Sequence, residues 1–279
     1  MNSYEKTGYL NHNFKIFHLT DREQKYYNFH YHDFNKIIIF LRGNVTYCIE
    51  GQSYSLSPYD VILVNAGEVH RPVILNNTDY ERIIIYISPD YISAYGEERC
   101  DLSCCFKKNS SSHSNVLRMA GMKKSKLFYV MQELRNSFDE KEYADGLYRD
   151  TLFIEFLIHL NRAALHDNLP YMVSSNSNDK ILKVLSHING HLTEDITIDG
   201  LAEQFYTSRY YLMHSFKEQT GYTIGSYLST KRLLFARELI LSGMSMTEAC
   251  FACGFKNYST FSRAYKKQFH QSPRELLGL

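Results

Sequence analysis

The sequence predicts a two-domain α+β protein, and three observations carry that prediction. Residues 14–90 break into short strand-like segments rich in β-branched and aromatic side chains. Helical spacing replaces them from Leu127 onward. From Thr197 to the end, one helical unit is written twice. A chain of 279 residues is long enough for two domains, each with its own core.

The strands come first. Lys36 to Leu41 (KIIIFL), Asn44 to Ile49, Ser53 to Leu56, Val61 to Val64 (VILV) and Arg82 to Ile87 (RIIIYI) are separated by the turn signals Arg42-Gly43, Glu50-Gly51 and Ser57-Pro58. Short strands at regular spacing point to a sandwich or barrel. A polar, Ser-rich loop follows, Lys107 to Asn115. Leu127, Met131, Leu134 and Phe138 then recur at i, i+4, i+7 and i+11, the spacing of one helix face. From Gly146 to His166 a second helix is apolar on two stripes. Leu147, Ile154 and Ile158 form one; Tyr148, Leu152, Phe156 and Leu160 form the other. One stripe can pack on the strands. The other needs the neighbouring helix or a second copy of the chain, and a dimer is the simpler partner. Val173 to Asn178 (VSSNSN) is a short polar linker. Ile181, Leu185, Ile188 and Leu192 open the helical domain.

The repeat is the most informative stretch. Thr197 to Leu228 aligns with Met246 to Leu276: Ala202 falls on Cys250 and Phe205 on Cys253, then Leu212 on Phe261, Phe216 on Tyr265 and Lys217 on Lys266. One residue inserted at the turn explains the change of offset. Each copy reads as a short apolar helix, a turn and an amphipathic second helix. That is a helix-turn-helix, whose second helix can enter a DNA major groove. Ser208 and Asn257 are good N-caps for the two second helices. Leu212, Phe216, Phe261 and Tyr265 fall inward. Outward lie Arg209, Tyr210, Met213 and His214 in the first copy and Ser259, Thr260 and Arg263 in the second. These are the candidate base contacts. Arg263 is the sharpest, because a guanidinium can bond guanine O6 and N7 together. Ser208, Lys217, Asn257, Lys266 and Lys267 are candidate phosphate contacts, which position without specifying. The helix between the copies, Ile224 to Leu241, can hold their spacing.

Composition bounds the alternatives. No apolar run approaches the ~20 residues of a membrane span, and the first residues lack the apolar core of a signal peptide, so a cytoplasmic protein is expected. From Asp179 onward there are 12 Lys+Arg against 9 Asp+Glu, and 19 against 21 before it. That imbalance is too small to argue from. Cys250 and Cys253 have CxxC spacing, but they occupy inward positions of the repeat and read as core. Cys100, Cys104 and Cys105 cluster near His113, where a thiol sensor or metal site is an open alternative.

The stretches LAEQFYTSRYYLMHSFKEQTGYTIGSYLSTKRLLFARELI and MTEACFACGFKNYSTFSRAYKKQFHQSP resemble the DNA-binding domain of the AraC/XylS transcription regulators. Cys250, Gly254, Phe255, Ser259, Phe261, Ser262, Arg263, Tyr265, Lys266, Lys267 and Pro273 match its signature; His270 stands where that family usually has glycine. HYHDFNKIIIFLRGNVTYCIEGQSYSLSPYDVILVNAGEVHRP resembles, less specifically, the family's cupin-like effector domain. The resemblance implies three parts. Residues 1–172 form a cupin-like effector and dimerisation domain, with a barrel at about 14–90 and a helical pair at about 123–168. Residues 173–178 form the linker, and 179–279 the DNA-binding domain with two helix-turn-helix units. It implies a sequence-specific regulator rather than an enzyme, expected to be an activator answering to a sugar or related metabolite. Its partners would be double-stranded DNA, a second copy of the chain through the helices at 123–168, and RNA polymerase. The effector would sit inside the barrel beneath the N-terminal arm, with His32, Tyr47, His70 and Arg82 as candidate contacts.

Two alternatives stay open. One is a cupin enzyme fused to a DNA-binding module, because His30, His32 and His70 can supply three imidazoles to a metal. Lys36 holds the position of the fourth, carboxylate ligand and would oppose an ion if it pointed inward, so no metal and no cofactor are expected. The other is a regulator controlled by a partner protein or by thiol redox.

Overall fold

A computed structural model of the chain describes all residues except 1–4, 7–9, 11, 23–25, 76–77, 94–100, 108–113, 119–123, 140, 166–171, 173, 175–177 and 278–279. The N-terminal domain holds β1 (Glu5–Lys6), β2 (Phe14–Asp21), β3 (His30–Tyr31), β4 (Asn35–Arg42), β5 (Val45–Ile49), β6 (Gln52–Ser55), β7 (Val61–Val64), β8 (His70–Ile74), β9 (Tyr80–Ile87) and β10 (Val116–Leu117), with a short α1 (Pro89–Ser93) after β9. They build two five-stranded sheets, ordered β1-β3-β8-β5-β6 and β10-β7-β4-β9-β2. The expected barrel is therefore a pair of stacked sheets and not one closed sheet. The chain changes sheet at most connections, which is the double-sheet jelly-roll solution shared by cupins. β8 contains Pro72, which hid it from a strand reading.

The apolar runs KIIIFL, VILV and RIIIYI have one cause. Their strands sit side by side in the second sheet, which is covered on both faces, so no polar alternation is needed. Ile37, Ile39, Val61, Leu63, Ile83 and Ile85 face outward onto α2 (Lys126–Asn136) and α3 (Asp145–Leu165). Ile38, Phe40, Ile62, Val64, Tyr80 and Ile84 face the other sheet. On α3, Leu152, Phe156 and Leu160 are buried against the sheet and α2. The other stripe is covered only in part: Ile154 packs at the edge of the core, while Leu147 is 69% exposed and Ile158 37%, with Leu165 beyond them at 57%. In the linker, the Ser174 hydroxyl donates to the carbonyl of Ser53 and accepts from its amide.

The C-terminal domain runs α4 (Asp179–Gly190), α5 (Ile198–Gln204), α6 (Arg209–Thr220), α7 (Ile224–Leu241), α8 (Met246–Ala252) and α9 (Tyr258–Phe269). Each starts on a side-chain cap, at Asn178, Thr197, Ser208, Thr223, Ser245 and Asn257. The cap at Ser245 is a full capping box with Glu248. Two cores result. One gathers α4, α5, α6 and the start of α7; the other gathers the end of α7 with α8 and α9.

Candidate functional site

The two repeats fold as α5–α6 and α8–α9, with α7 between them. Leu212, Phe216, Phe261 and Tyr265 are fully buried. Arg209, Tyr210, Met213, His214, Ser259, Thr260 and Arg263 are all exposed, as are Ser208, Lys217, Asn257, Lys266 and Lys267. Caps and side chains share work here. The Ser208 oxygen accepts from the Tyr211 amide and the Asn257 oxygen from the Thr260 amide, which leaves their donor groups for a phosphate. Lys217, Lys266 and Lys267 stand in the last turns of their helices, where cations are favoured.

The two arginines differ. Arg209 Nε lies 3.1 Å from the carboxylate of Asp199 on the preceding helix. Arg263 Nε donates to the carbonyl of Ser259, one turn back, at 3.2 Å. The first arginine must leave an acid to reach a base edge; the second, among the described residues, holds its own helix backbone and no acid. Tyr210 and His214 stack with rings 6.0 Å apart and nearly parallel.

Cys250 and Cys253 are fully buried in the second core. Burial raises both thiols, Cys253 to about 11. They therefore stay protonated and pack as small apolar groups. Cys105 is buried and pushed up to about 12 by desolvation. Cys104 is also raised, by burial and by Asp101. Cys100 and His113 lie outside the described residues.

The N-terminal domain holds a cavity of about 380 Å³ between its sheets, open to solvent on one side. Of the four effector contacts named from the sequence, His32, Tyr47 and Arg82 line it; His70 is fully buried directly behind, its ring 4.9 Å from that of His32. Three further wall residues, Tyr80, Ile84 and Tyr86, share the inward face of β9 with Arg82. Period-2 counting from Arg82 names that set, but not which way it faces. The cavity also takes His30 and Lys36, first considered only for metal. Lys36 does point inward: its Nζ lies 3.5 Å from Nε2 of both His32 and His70. Most of the N-terminal arm lies outside the described residues; β1 pairs in parallel with β3 beside this site.

Direct bonds tie the domain holding the cavity to the helices. The two-residue β5–β6 turn, Glu50-Gly51, has positive φ at both positions. It projects the Glu50 carboxylate onto Lys231 (2.9 Å) and the Tyr227 hydroxyl of α7. Arg237 pairs with Asp33 at 2.6 Å. Gln268 of α9 donates to the hydroxyl of Tyr31, which lies between the cavity residues His30 and His32. The Tyr222 hydroxyl donates to the carbonyl of Phe29. Tyr31 and Val69 belong to the same core as α4–α6.

With that geometry in hand, the similarities to known proteins are specific. The model of the AraC-like ligand binding domain matches residues 13–153, and a helix-turn-helix domain model matches residues 201–278. The HTH-type transcriptional activator RhaS of Shigella sonnei is 28% identical over 250 residues, covering 88% of this chain and 86% of its own. RhaS of Escherichia coli strain K12 / DH10B gives the same figures. The ToxT structure from Vibrio cholerae O395 aligns over 95% of this chain and 97% of its own, at 16% identity and a TM-score of 0.39. The chain belongs to the AraC family: it is a DNA-binding transcription regulator with a ligand-binding domain, and not an enzyme. No helix among the described residues is long and apolar enough to cross a membrane.

Proposed function

We propose that this regulator is a dimeric transcription activator, acting in the cytoplasm, whose affinity for its operator is set by a small hydroxylated metabolite in the N-terminal cavity. The observation that carries the reading is the pairing of that cavity with two exposed second helices held by one domain-to-domain set of bonds. Arg263, Ser259 and Thr260 read bases from α9; Arg209, Tyr210, Met213 and His214 read them from α6. Ser208, Lys217, Asn257, Lys266 and Lys267 hold phosphates. Dimerisation uses the exposed part of this α3 stripe, Leu147, Ile158 and Leu165, with the half-buried Ile154 beside them. RNA polymerase is the further partner of an activator. The cavity speaks to the DNA-binding domain through β3 and the residues around it, because His30 and His32 flank Tyr31 and Asp33, which meet Gln268 and Arg237.

The sugar class rests on the tyrosine-lined wall. Phenol rings supply both flat apolar surface and polar tips for a hydroxylated ring. Against the metalloenzyme alternative, the nitrogens of His30, His32 and His70 do lie within 4.8 Å of one another, but the ammonium of Lys36 stands among them. The test is selection of DNA sites with the full-length chain, followed by footprinting with and without a metabolite panel. Two protected half-sites about one helical turn apart per protomer are expected. Protection without sequence preference, or a footprint that no metabolite changes, would refute the reading.

A further inference from the structure

The cavity carries more charge information than a neutral sugar site requires. Lys36 is 6% exposed and reaches the cavity wall with its ammonium. Among the described residues no carboxylate lies within ion-pair distance of it. Its polar neighbours are Nε2 of His32, after β3, and Nε2 of His70, on β8, each at 3.5 Å. From β9 it is faced by the ring of Tyr86 at 5.9 Å and by the charge of Arg82.

Arg82 is a different case, because its charge is already answered. Its guanidinium lies 2.7 Å from the Asp21 carboxylate, donates to the Tyr80 carbonyl at 2.9 Å and covers the Tyr80 ring at 3.9 Å. Asp21 in turn accepts from the Tyr27 hydroxyl. Asp21 is therefore committed to Arg82 and Tyr27. What remains is the buried amine of Lys36, which has no ion-pair partner among the described residues, with imidazoles beside it. Burial is costly for each of these cations, and they repel one another. Lys36 is accordingly lowered to about 7 by burial and by Arg82, and His30 to about 4 by burial and by Lys36. His70 falls well below its ordinary value for the same two reasons.

We propose that the effector is a hydroxylated small molecule bearing one carboxylate, which seats on Lys36 beside His32 and His70 while its hydroxyls meet the tyrosine wall. The inference rests on the reading of this cavity as the effector site and names the ligand's chemistry. One uncompensated ammonium matches one carboxylate. A phosphate ester brings more negative charge and would need a proton on an imidazole that the site holds neutral. The neutral rings of His30 and His70 give their one N–H to the carbonyls of Asn28 and Glu68, so Nε2 of His70 accepts from Lys36 and holds the ammonium in place for the carboxylate.

The full-length chain is tested by thermal shift and calorimetry at pH 7. Matched ligands are used: glucose and galactose, glucuronate, galacturonate and gluconate, glucose 6-phosphate, and inorganic phosphate. Each is measured on the wild type and on Lys36→Met. The sugar acids are expected to stabilise the wild type while the neutral sugars do not, and Lys36→Met is expected to weaken acid binding by roughly thirtyfold or more, as removal of one partner of a buried charge pair does. Without ligand, Lys36→Met is expected to melt higher than the wild type, which also shows that the variant folds. Neutral sugars that stabilise both proteins equally would overturn the anion inference and leave the small-molecule reading standing. Acids that fail to distinguish the two proteins would overturn it as well. Tighter binding of glucose 6-phosphate than of the sugar acids would overturn the choice of carboxylate. An acid that binds through Lys36 yet leaves the DNA footprint unchanged would support the anion site and sink its role as the effector site.

Discussion

The two helix-turn-helix units share an architecture but place glycine at opposite points. Each unit has two residues with positive φ, one in the turn and one ending the second helix. In the first unit these are Tyr206 (φ 48) and Gly221 (φ 79); in the second they are Gly254 (φ 89) and His270 (φ 58). The left-handed conformation alone does not explain which of them is glycine. Close approach does. A Cβ on Gly221 would lie 2.5 Å from the Phe29 ring of the N-terminal domain, and one on Gly254 would lie 2.8 Å from the carbonyl of Leu192. Tyr206 and His270 are exposed and tolerate a side chain. The difference teaches that the first unit is shaped by the domain it leans on and the second by its own helical frame. Their cores agree, since Tyr31 and Val69 enter the first core and only C-terminal residues build the second.

The largest effect should come from forcing the second unit's cap on the first. Gly221→His is expected to lose about 2–4 kcal/mol in denaturant unfolding, combining a left-handed penalty of about 1–2 kcal/mol with overpacking against Phe29. Adding Phe29→Ala should recover the overpacking part. A cost under about 1 kcal/mol for Gly221→His would break the contrast between the units.

Next come the two arginines. Arg263→Ala should cost about 1–3 kcal/mol of discrimination at one base pair. Arg209→Ala should cost less, because the wild-type side chain already spends part of its interaction on Asp199. Binding assays on single-base operator variants read both, and equal losses would make the two helices equivalent readers.

The smaller effects are gains. His270→Gly removes an exposed non-glycine residue from the left-handed region and should stabilise by about 1 kcal/mol, measured by thermal or urea unfolding. Destabilisation would mean that the imidazole makes a contact that matters. Smallest is Tyr265→Phe. The Tyr265 hydroxyl is buried without a hydrogen-bond partner, and the first unit already has Phe216 at the matching position. The change should be neutral or stabilising by up to about 1 kcal/mol. The reverse swap, Phe216→Tyr, should destabilise by about 1–3 kcal/mol, because it buries a new hydroxyl in the core shared with the N-terminal domain. A loss on Tyr265→Phe would show that the hydroxyl is bonded in solution.

The C-terminal domain was legible residue by residue because its signals are local. Ser208 and Asn257 announce helix starts within three residues, the 3.6 period separates Leu212, Phe216, Phe261 and Tyr265 from the exposed face, and the repeat checks each assignment against its copy. The N-terminal domain was legible only as a class. Its runs of Ile and Val declare strands, but a strand buried on both faces has no polar side to orient it, so Arg82, Ile84 and Tyr86 could be grouped without knowing where they point. By itself the sequence determined the strand and helix segments, the caps and the duplicated unit, all set by neighbours within a few positions. Tertiary structure alone decided that Lys36 meets His32 and His70, that Asp21 is committed to Arg82, and that Glu50 reaches Lys231 across the domains. Those groups are brought together by stacking two sheets and docking a second domain, and no periodicity along the chain encodes a distance between residues that far apart in sequence.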